Sequence, residues 1–221
     1  MSTSAIITAA GLGSRFGEPK QFKLLLGKPL YFYAVETFLQ SALIDEVILV
    51  VPESKKKFTS EQIRKISDYQ RVKIVIGGNS RFDSVKNGVL SSRKNTRLVC
   101  IHDAARPFVT VKLIELSISA CNNADGAILA INAIDTIKYS NGGFIERTIN
   151  RDKIWIAQTP QTFFKARLLD AYKTIDLDGV HYTDESSIME KMGFKIALIK
   201  SEQNNFKITT IEDWNKAESL M

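Results

Sequence analysis

The chain has 221 residues, 44% of them hydrophobic and 24% charged, which is the composition of a globular domain rather than of a disordered or fibrous chain. Thirty Lys and Arg against 24 Asp and Glu leave a formal charge of +6, a balance that attracts anions such as nucleotides, sugar phosphates or nucleic acid. Its two cysteines, Cys100 and Cys121, form no CxxC pair and no metal-ligand spacing, and both read as structural thiols of a reducing compartment.

In chain order, short apolar runs alternate with segments of helical period. Ala5–Thr8 predicts a strand, Leu30–Gln40 a helix, and Glu46–Val51 an apolar strand ended by Pro52. Glu61–Tyr69 predicts a helix, Val72–Ile76 a strand, and Ser84–Leu90 a helix with Val85, Gly88 and Val89 on one face. Leu98–Ile101, Leu113–Cys121 and Gly126–Ile131 follow as strand, helix and strand. Between Ala133 and Trp155 the residues alternate around Asn141-Gly142-Gly143, the pattern of a hairpin, because Asn-Gly supplies the positive φ of a tight turn. Helices over Phe164–Ile175 and Asp184–Met192, strands over Phe194–Ile199 and Phe206–Thr209, and a last helix from Ile211 capped by Thr210 complete the chain. No run reaches ~18 apolar residues and none reads as a signal peptide, so the expected location is cytoplasmic. The expected fold is α/β: a single Rossmann-like three-layer domain over 1–221, with a mostly parallel sheet, helices on both faces and 133–155 as a protruding β-hairpin arm.

The first strand runs into a loop of small residues, Thr8 to Lys20, in which Ala9, Ala10, Gly11 and Gly13 let backbone N–H groups approach a phosphate or base, and Arg15 and Lys20 supply charge. It is not a dinucleotide loop. Phe16 stands where GxGxxG needs glycine, and the second strand ends Val50-Val51-Pro52 rather than in an acid. It is not a Walker loop either, since Gly27-Lys28 is followed by Pro29.

Leu98–Ile101 leads into His102-Asp103-Ala104-Ala105-Arg106-Pro107. An aspartate at the carboxyl end of a buried strand lies where open sheets place ligands, and one carboxylate with substrate phosphates is the usual way to hold Mg²⁺. Ala104 and Ala105 would keep space open beside it, and Arg106 could fork onto a phosphate. His102 is expected to orient or pack, and His181 to lie on the surface. Two distant histidines and two isolated cysteines make no zinc site, and no GxSxG nucleophile motif is present. Lys55-Lys56-Lys57 is not interleaved with aromatics and reads as a solvated face, so a nucleic-acid-binding protein is the weaker reading of the charge.

Seven segments in register then carry a resemblance: AAGLGSRFGEPKQF (9–22), GGNSRFDSV (77–85), HDAARPF (102–108), IDTIK (134–138), IWIAQTPQTF (154–163), TDESSIME (183–190) and NNFKITTIEDW (204–214). Together they resemble the 2-C-methyl-D-erythritol 4-phosphate cytidylyltransferase family. Ribitol-5-phosphate cytidylyltransferases are a close relative, less similar in HDAARP and TDESSIMEKMGF. The resemblance implies CTP and a polyol phosphate as substrates, Mg²⁺ as cofactor, and a homodimer made through the arm, with neither nucleic acid nor membrane as partner. It further implies that Arg15, Lys20 and Lys207 act on the phosphates. Ala9, Ala10, Gly11, Gly13, Gly78, Asn79, Ser84 and Ala104 would surround the nucleotide, and Asp103 would hold the metal. Arg106, Thr136, Arg151, Thr159 and Thr183 would bind the polyol phosphate, Thr136 and Arg151 acting across the dimer. The chain departs from the family pattern at Asn205-Phe206-Lys207, usually NIK, and at Gly77-Gly78-Asn79-Ser80-Arg81, usually GGDER. Asn79 replaces an acid there, although its carbonyl can still accept from a base amino group.

Overall fold

The computed structural model describes residues 1–11, 13, 15–175 and 182–221. His181, expected on the surface, lies outside them. The strands are β1 (Thr3–Thr8), β2 (Leu24–Leu25), β3 (Lys28–Pro29), β4 (Glu46–Val51), β5 (Val72–Ile76), β6 (Leu98–Asp103), β7 (Gly126–Asn132), β8 (Ile137–Asn141), β9 (Phe144–Ile149), β10 (Trp155–Phe164) and β11 (Ile196–Lys200). The helices are α1 (Leu30–Gln40), α2 (Lys56–Gln62), α3 (Arg81–Ser91), α4 (Val111–Ala120), α5 (Lys165–Thr174), α6 (Glu185–Lys191) and α7 (Ile211–Leu220).

Seven strands form one sheet in the order β11-β7-β10-β6-β1-β4-β5, and all neighbours are parallel except β10, which is antiparallel to both β6 and β7. The alternation of each strand assigns its side chains to opposite layers. Ala5, Ile7, Val47, Leu49 and Val51 pack with Tyr31, Val35 and Phe38 of α1 and with Leu113 and Ile114 of α4. Ile6, Ile48, Val50, Val99 and Ile101 pack on the other side with Val85 and Val89 of α3, Leu168 of α5 and Met189 of α6. A third cluster joins Leu25, Leu30 and Ala105 to Ile208 and to Trp214 and Ala217 of α7, with Phe16 of the first loop resting on it. The expected α/β architecture with helices on both faces is therefore present.

Four local expectations differ. The helix expected over Glu61–Tyr69 is α2, which starts five residues earlier and gives way to 3-10 turns at Ile63–Lys65 and Tyr69–Arg71. Ile66 is already extended, with φ −88° and ψ 138°, which ends helical propagation, and Asp68 between the turns is left-handed with φ 58°. Phe206–Thr209 is not a strand. Its apolar residue Ile208 is buried against α7, and in place of a ladder its backbone bonds once to other backbone, Ile208 N–H to the Ala105 carbonyl at 2.8 Å, and once to a side chain, Thr209 N–H to the Asp213 carboxylate at 2.7 Å. β10 has no counterpart in the sequence reading. Pro160 argues against a central strand because it lacks a donor, and the register shift between Ala157 and Gln161 absorbs it. Finally, Trp155 already pairs with Asn132, so the arm ends at Ile154 rather than within the hairpin's own sheet.

The arm itself is the expected hairpin. β8 and β9 form a separate two-stranded sheet turning at Gly142 and Gly143, both at positive φ. Its tip is apolar and open, with Phe144 81% and Ile145 67% exposed. Among the described residues no helix is long and apolar enough to cross a membrane.

Candidate active site

The site begins with a register. Thr8 ends β1 opposite Asp103 at the end of β6, so both open onto the same rim of the sheet. The Thr8 hydroxyl lies 3.3 Å from Asp103 Oδ1 and donates to it. Beyond β5 the chain turns through Gly77 and Gly78 into α3, whose start is fixed by a capping box between Ser80 and Asp83. A Cβ on Gly77 would stand 2.5 Å from Ala10 Cβ and 2.8 Å from Ser84 Oγ, so only glycine lets this turn close against the first loop.

Between loop, turn and rim lies a cavity of about 640 Å³, within the range of sites that take nucleotide-sized ligands. Ala10, Gly11, Gly13, Arg15, Lys20, Gly78, Asn79, Ser84, Asp103 and Lys207 all line it, as expected, and Thr8, Gln21 and Arg81 join them. Two expected residues do not. Ala9 and Ala104 are buried in the core, while Ala105 lines the cavity instead. Because β6 runs on to Asp103 before the chain turns, Ala104 remains in sheet phase and points inward.

A second cavity, of about 210 Å³, is lined by Arg106, Ala157, Gln158, Thr159, Gln161, Thr183 and Asp184, and shares Arg81, Asp103 and Lys207 with the first. Those three residues are a common wall. Lys207 Nζ lies 2.8 Å from Asp103 Oδ2, Arg81 Nε 3.4 Å from Oδ1 and Arg106 Nε 3.8 Å from Oδ2. Burial alone would raise the Asp103 carboxyl, but the charges of Lys207, Arg81 and Arg106 outweigh it and hold the group well below the usual carboxylate range, so it is ionised. Cations also crowd one another on the side of the larger cavity. Burial lowers the Lys20 ammonium, and the positive charges of Lys207 and Arg15 lower it further. Bringing a polyanion into this cavity relieves that repulsion.

The support beneath the wall is neutral. His102 is fully buried, and burial pushes its pKa down to about 4. As a neutral ring it donates from Nε2 to the Arg106 carbonyl, 3.1 Å away, and accepts at Nδ1 from the Thr159 hydroxyl, 3.0 Å away. Thr159 in turn accepts from the Asp103 N–H at 3.1 Å. His102 is thus the orienting residue expected, and the Thr159 hydroxyl is spent on holding Asp103. Asn205 ties the Lys207 segment to β10, its Nδ2 donating to Gln158 Oε1 at 2.9 Å and the Thr159 carbonyl at 3.0 Å, and its own carbonyl accepts from Arg106 Nη1 at 2.9 Å.

Thr136 and Arg151 are not brought to either cavity. Both are exposed at the arm, where the Arg151 guanidinium donates to the Ile134 carbonyl. Arg81, which borders both cavities, and Asn205, which fastens the Lys207 segment, were not singled out from sequence, although each stands inside one of the seven segments. As for a metal, the described residues contain no cluster of three His, Cys, Asp or Glu side chains. Among the described residues Asp103 is the one carboxylate lining both cavities, and a single carboxylate completed by phosphates of a bound ligand suits Mg²⁺ rather than a tightly caged ion.

Residues 3–221 match the family described as 2-C-methyl-D-erythritol 4-phosphate cytidylyltransferase (IspD). A protein of that name from Clostridium acetobutylicum is 42% identical over 221 residues, covering 98% of this chain and 96% of its own length. One from Syntrophus aciditrophicus is 38% identical, covering 98% of this chain and 94% of its own. The crystal structure of 4-diphosphocytidyl-2C-methyl-D-erythritol synthase from Anaerococcus prevotii has a TM-score of 0.89 at 28% identity, covering 99% of this chain and 95% of that one. That of 2-C-methyl-D-erythritol 4-phosphate cytidylyltransferase from Thermus thermophilus has a TM-score of 0.82 at 27% identity, covering 100% and 98%.

Proposed function

This chain belongs to the 2-C-methyl-D-erythritol 4-phosphate cytidylyltransferase family, and from that premise we infer that it transfers CMP from CTP to 2-C-methyl-D-erythritol 4-phosphate and releases pyrophosphate, a step of non-mevalonate isoprenoid biosynthesis. The observation that supports this most directly is the pair of cavities with one charged wall. A triphosphate in the larger and a polyol phosphate in the smaller meet at Asp103, Arg81 and Lys207. An oxygen of the polyol phosphate forms a bond to the α-phosphorus of CTP. The bond from that phosphorus to the β-phosphate bridging oxygen breaks, and its electron pair leaves with pyrophosphate. The attacking oxygen is already anionic near neutral pH, so the protein needs no general base, only placement and charge.

Arg15 and Lys20 bind the leaving phosphates, Lys207 neutralises charge growing at the α-phosphate, and Arg106 draws the acceptor phosphate. Asn79 and Gly78 face the base and ribose. Thr159 positions Asp103 rather than touching the acceptor. Mg²⁺ held by Asp103 with substrate phosphates supplies, when bound, charge neutralisation at the phosphate oxygens. A cytoplasmic location accords with the use of CTP.

Incubation with each of four nucleoside triphosphates and with either the methylerythritol or the ribitol phosphate, followed by pyrophosphate release, tests the reading. Release with CTP and the methylerythritol phosphate, abolished by a chelator and restored by Mg²⁺, is expected. Faster release with ribitol phosphate would move the chain to the other substrate, and chelator-resistant turnover would remove the metal role of Asp103.

The exposed apolar tip of the arm supports a homodimer in which Phe144 and Ile145 are covered by a second copy and Thr136 and Arg151 reach its acceptor cavity. Sedimentation at assay concentration is expected to give a dimer. Full activity from a sedimenting monomer would refute the arrangement.

A further inference from the structure

Arg81 is the residue of the common wall that the transfer chemistry has not yet used. It opens α3, and its side chain borders both cavities. Nε faces Asp103, while Nη1 lies 3.0 and 2.8 Å from the two oxygens of Glu185, a residue 104 positions away at the start of α6. Among the described residues Nη2 has no acceptor.

Glu185 is buried at 1% exposure and lines neither cavity. A carboxylate so placed is costly unless a cation answers it, and Arg81 does. Glu185 is held in turn by its helix start, where Asp184 caps α6 and accepts from Gln161 of β10 at 2.7 Å. The guanidinium therefore has two anchors of opposite purpose. Asp103 draws it toward the rim, and Glu185 fixes its far edge so that it cannot collapse onto Asp103.

We propose that Glu185 is a positioning residue for CMP transfer, acting through Arg81, whose guanidinium it aims along the wall between the two cavities so that the free Nη2 edge meets the phosphates as they approach each other. The proposal rests on the reading of the two cavities as triphosphate and acceptor sites. Without Glu185, Arg81 swings fully to Asp103 and competes there with Lys207 and with any bound cation. A misaim of about 1 Å at a reacting group lowers turnover by about 10²-fold. The loss falls on kcat, because Arg15, Lys20 and Arg106 still bind the ground-state phosphates.

A purely structural ion pair between α3 and α6 would behave differently, and two variants separate the cases. Glu185→Gln keeps shape and burial but removes the charge. It is expected to lower kcat by about 10²-fold with both KM values within about threefold of the parent. The double variant Arg81→Met with Glu185→Leu removes the buried pair altogether, an exchange that buried ion pairs tolerate in stability. It is expected to melt near the parent temperature yet stay as slow as Arg81→Met alone. A double variant that regains parental kcat would overturn the proposal, as would Glu185→Gln turning over at the parental rate. If the double variant does not fold, Glu185→Gln decides alone, and folded Glu185→Gln protein is checked by its melting curve. Absence of pyrophosphate release by the parent enzyme would instead remove the reading on which the proposal stands.

Discussion

Lys207→Ala is expected to lower kcat by about 10²–10³-fold, as removing one preorganised donor from a developing charge does. Its ammonium lies 2.8 Å from Asp103 and borders both cavities, so it stands where charge builds during transfer. The loss should appear in turnover and not in folding. The segment carrying it is fastened elsewhere, by Asn205 to β10, by Ile208 to the Ala105 carbonyl, and by Asp213, whose carboxylate accepts from the Thr209 and Thr210 N–H groups. Asp103 also remains ionised in the variant, because Arg81 and Arg106 still face it. Steady-state pyrophosphate release gives kcat, and thermal melting gives the control. A variant within about threefold of the parent would mean that the α-phosphate is neutralised by another group.

Gly13→Ala is the second large effect, and it arises from backbone. Gly13 has φ 70°, and an added Cβ would stand 1.9 Å from the Glu18 carbonyl oxygen. The Gly13 carbonyl accepts from both the Phe16 and Gly17 N–H groups, so the loop is folded back on this residue. The Glu18 carbonyl in turn accepts from the Lys20 N–H at 2.7 Å. Alanine therefore pushes directly on the segment that places Lys20, and Arg15 moves with it. We expect kcat/KM for CTP to fall by about 10²-fold, from misplacement of the phosphate-binding cations. The left-handed backbone itself adds only about 1 kcal/mol. Gly193→Ala separates the two contributions. It has φ 79° and nothing within 4 Å of its added Cβ, so it carries the backbone cost without the clash and should keep its rate. Equal losses in the two variants would show that conformational strain, not displacement of Lys20, is responsible.

The elements read most clearly from sequence were those whose apolar pattern runs the length of the element. Glu46–Val51, Val72–Ile76 and Leu30–Gln40 were bounded correctly because the apolar run and the structural element coincide. β10 escaped because its rim half, Gln158-Thr159-Pro160-Gln161, is polar and contains proline. Those side chains are buried against hydrogen-bond partners rather than against apolar neighbours. Phe206–Thr209 misled in the opposite sense, since burial under α7 gives an apolar pattern without any ladder. At the site, the residues of contiguous loops could be named, and most of those from the first loop and the α3 turn do line the larger cavity. What the sequence hid was pairing at distance. Nothing local tells that Arg81 answers Glu185, or that the Thr159 hydroxyl is engaged by Asp103 and His102. Ala104 and Ala105 show how fine the limit is, since two adjacent methyl groups point to opposite sides and only that of Ala105 lines the larger cavity.

The reversed direction of β10 has a consequence for how the molecule can be governed. The chain quits the sheet after β7 and re-enters it as β10 at the same edge where Thr8 and Asp103 end, and Thr159 lies only four residues past the re-entry point at Trp155. The hairpin is thus a handle whose root runs on directly into the wall of the smaller cavity. A substitution in the hairpin that shifts its root is therefore expected to reach Thr159, and through its hydroxyl the Asp103 N–H, along the backbone alone. Such an effect would appear as altered turnover in a variant whose cavity-lining side chains are all intact.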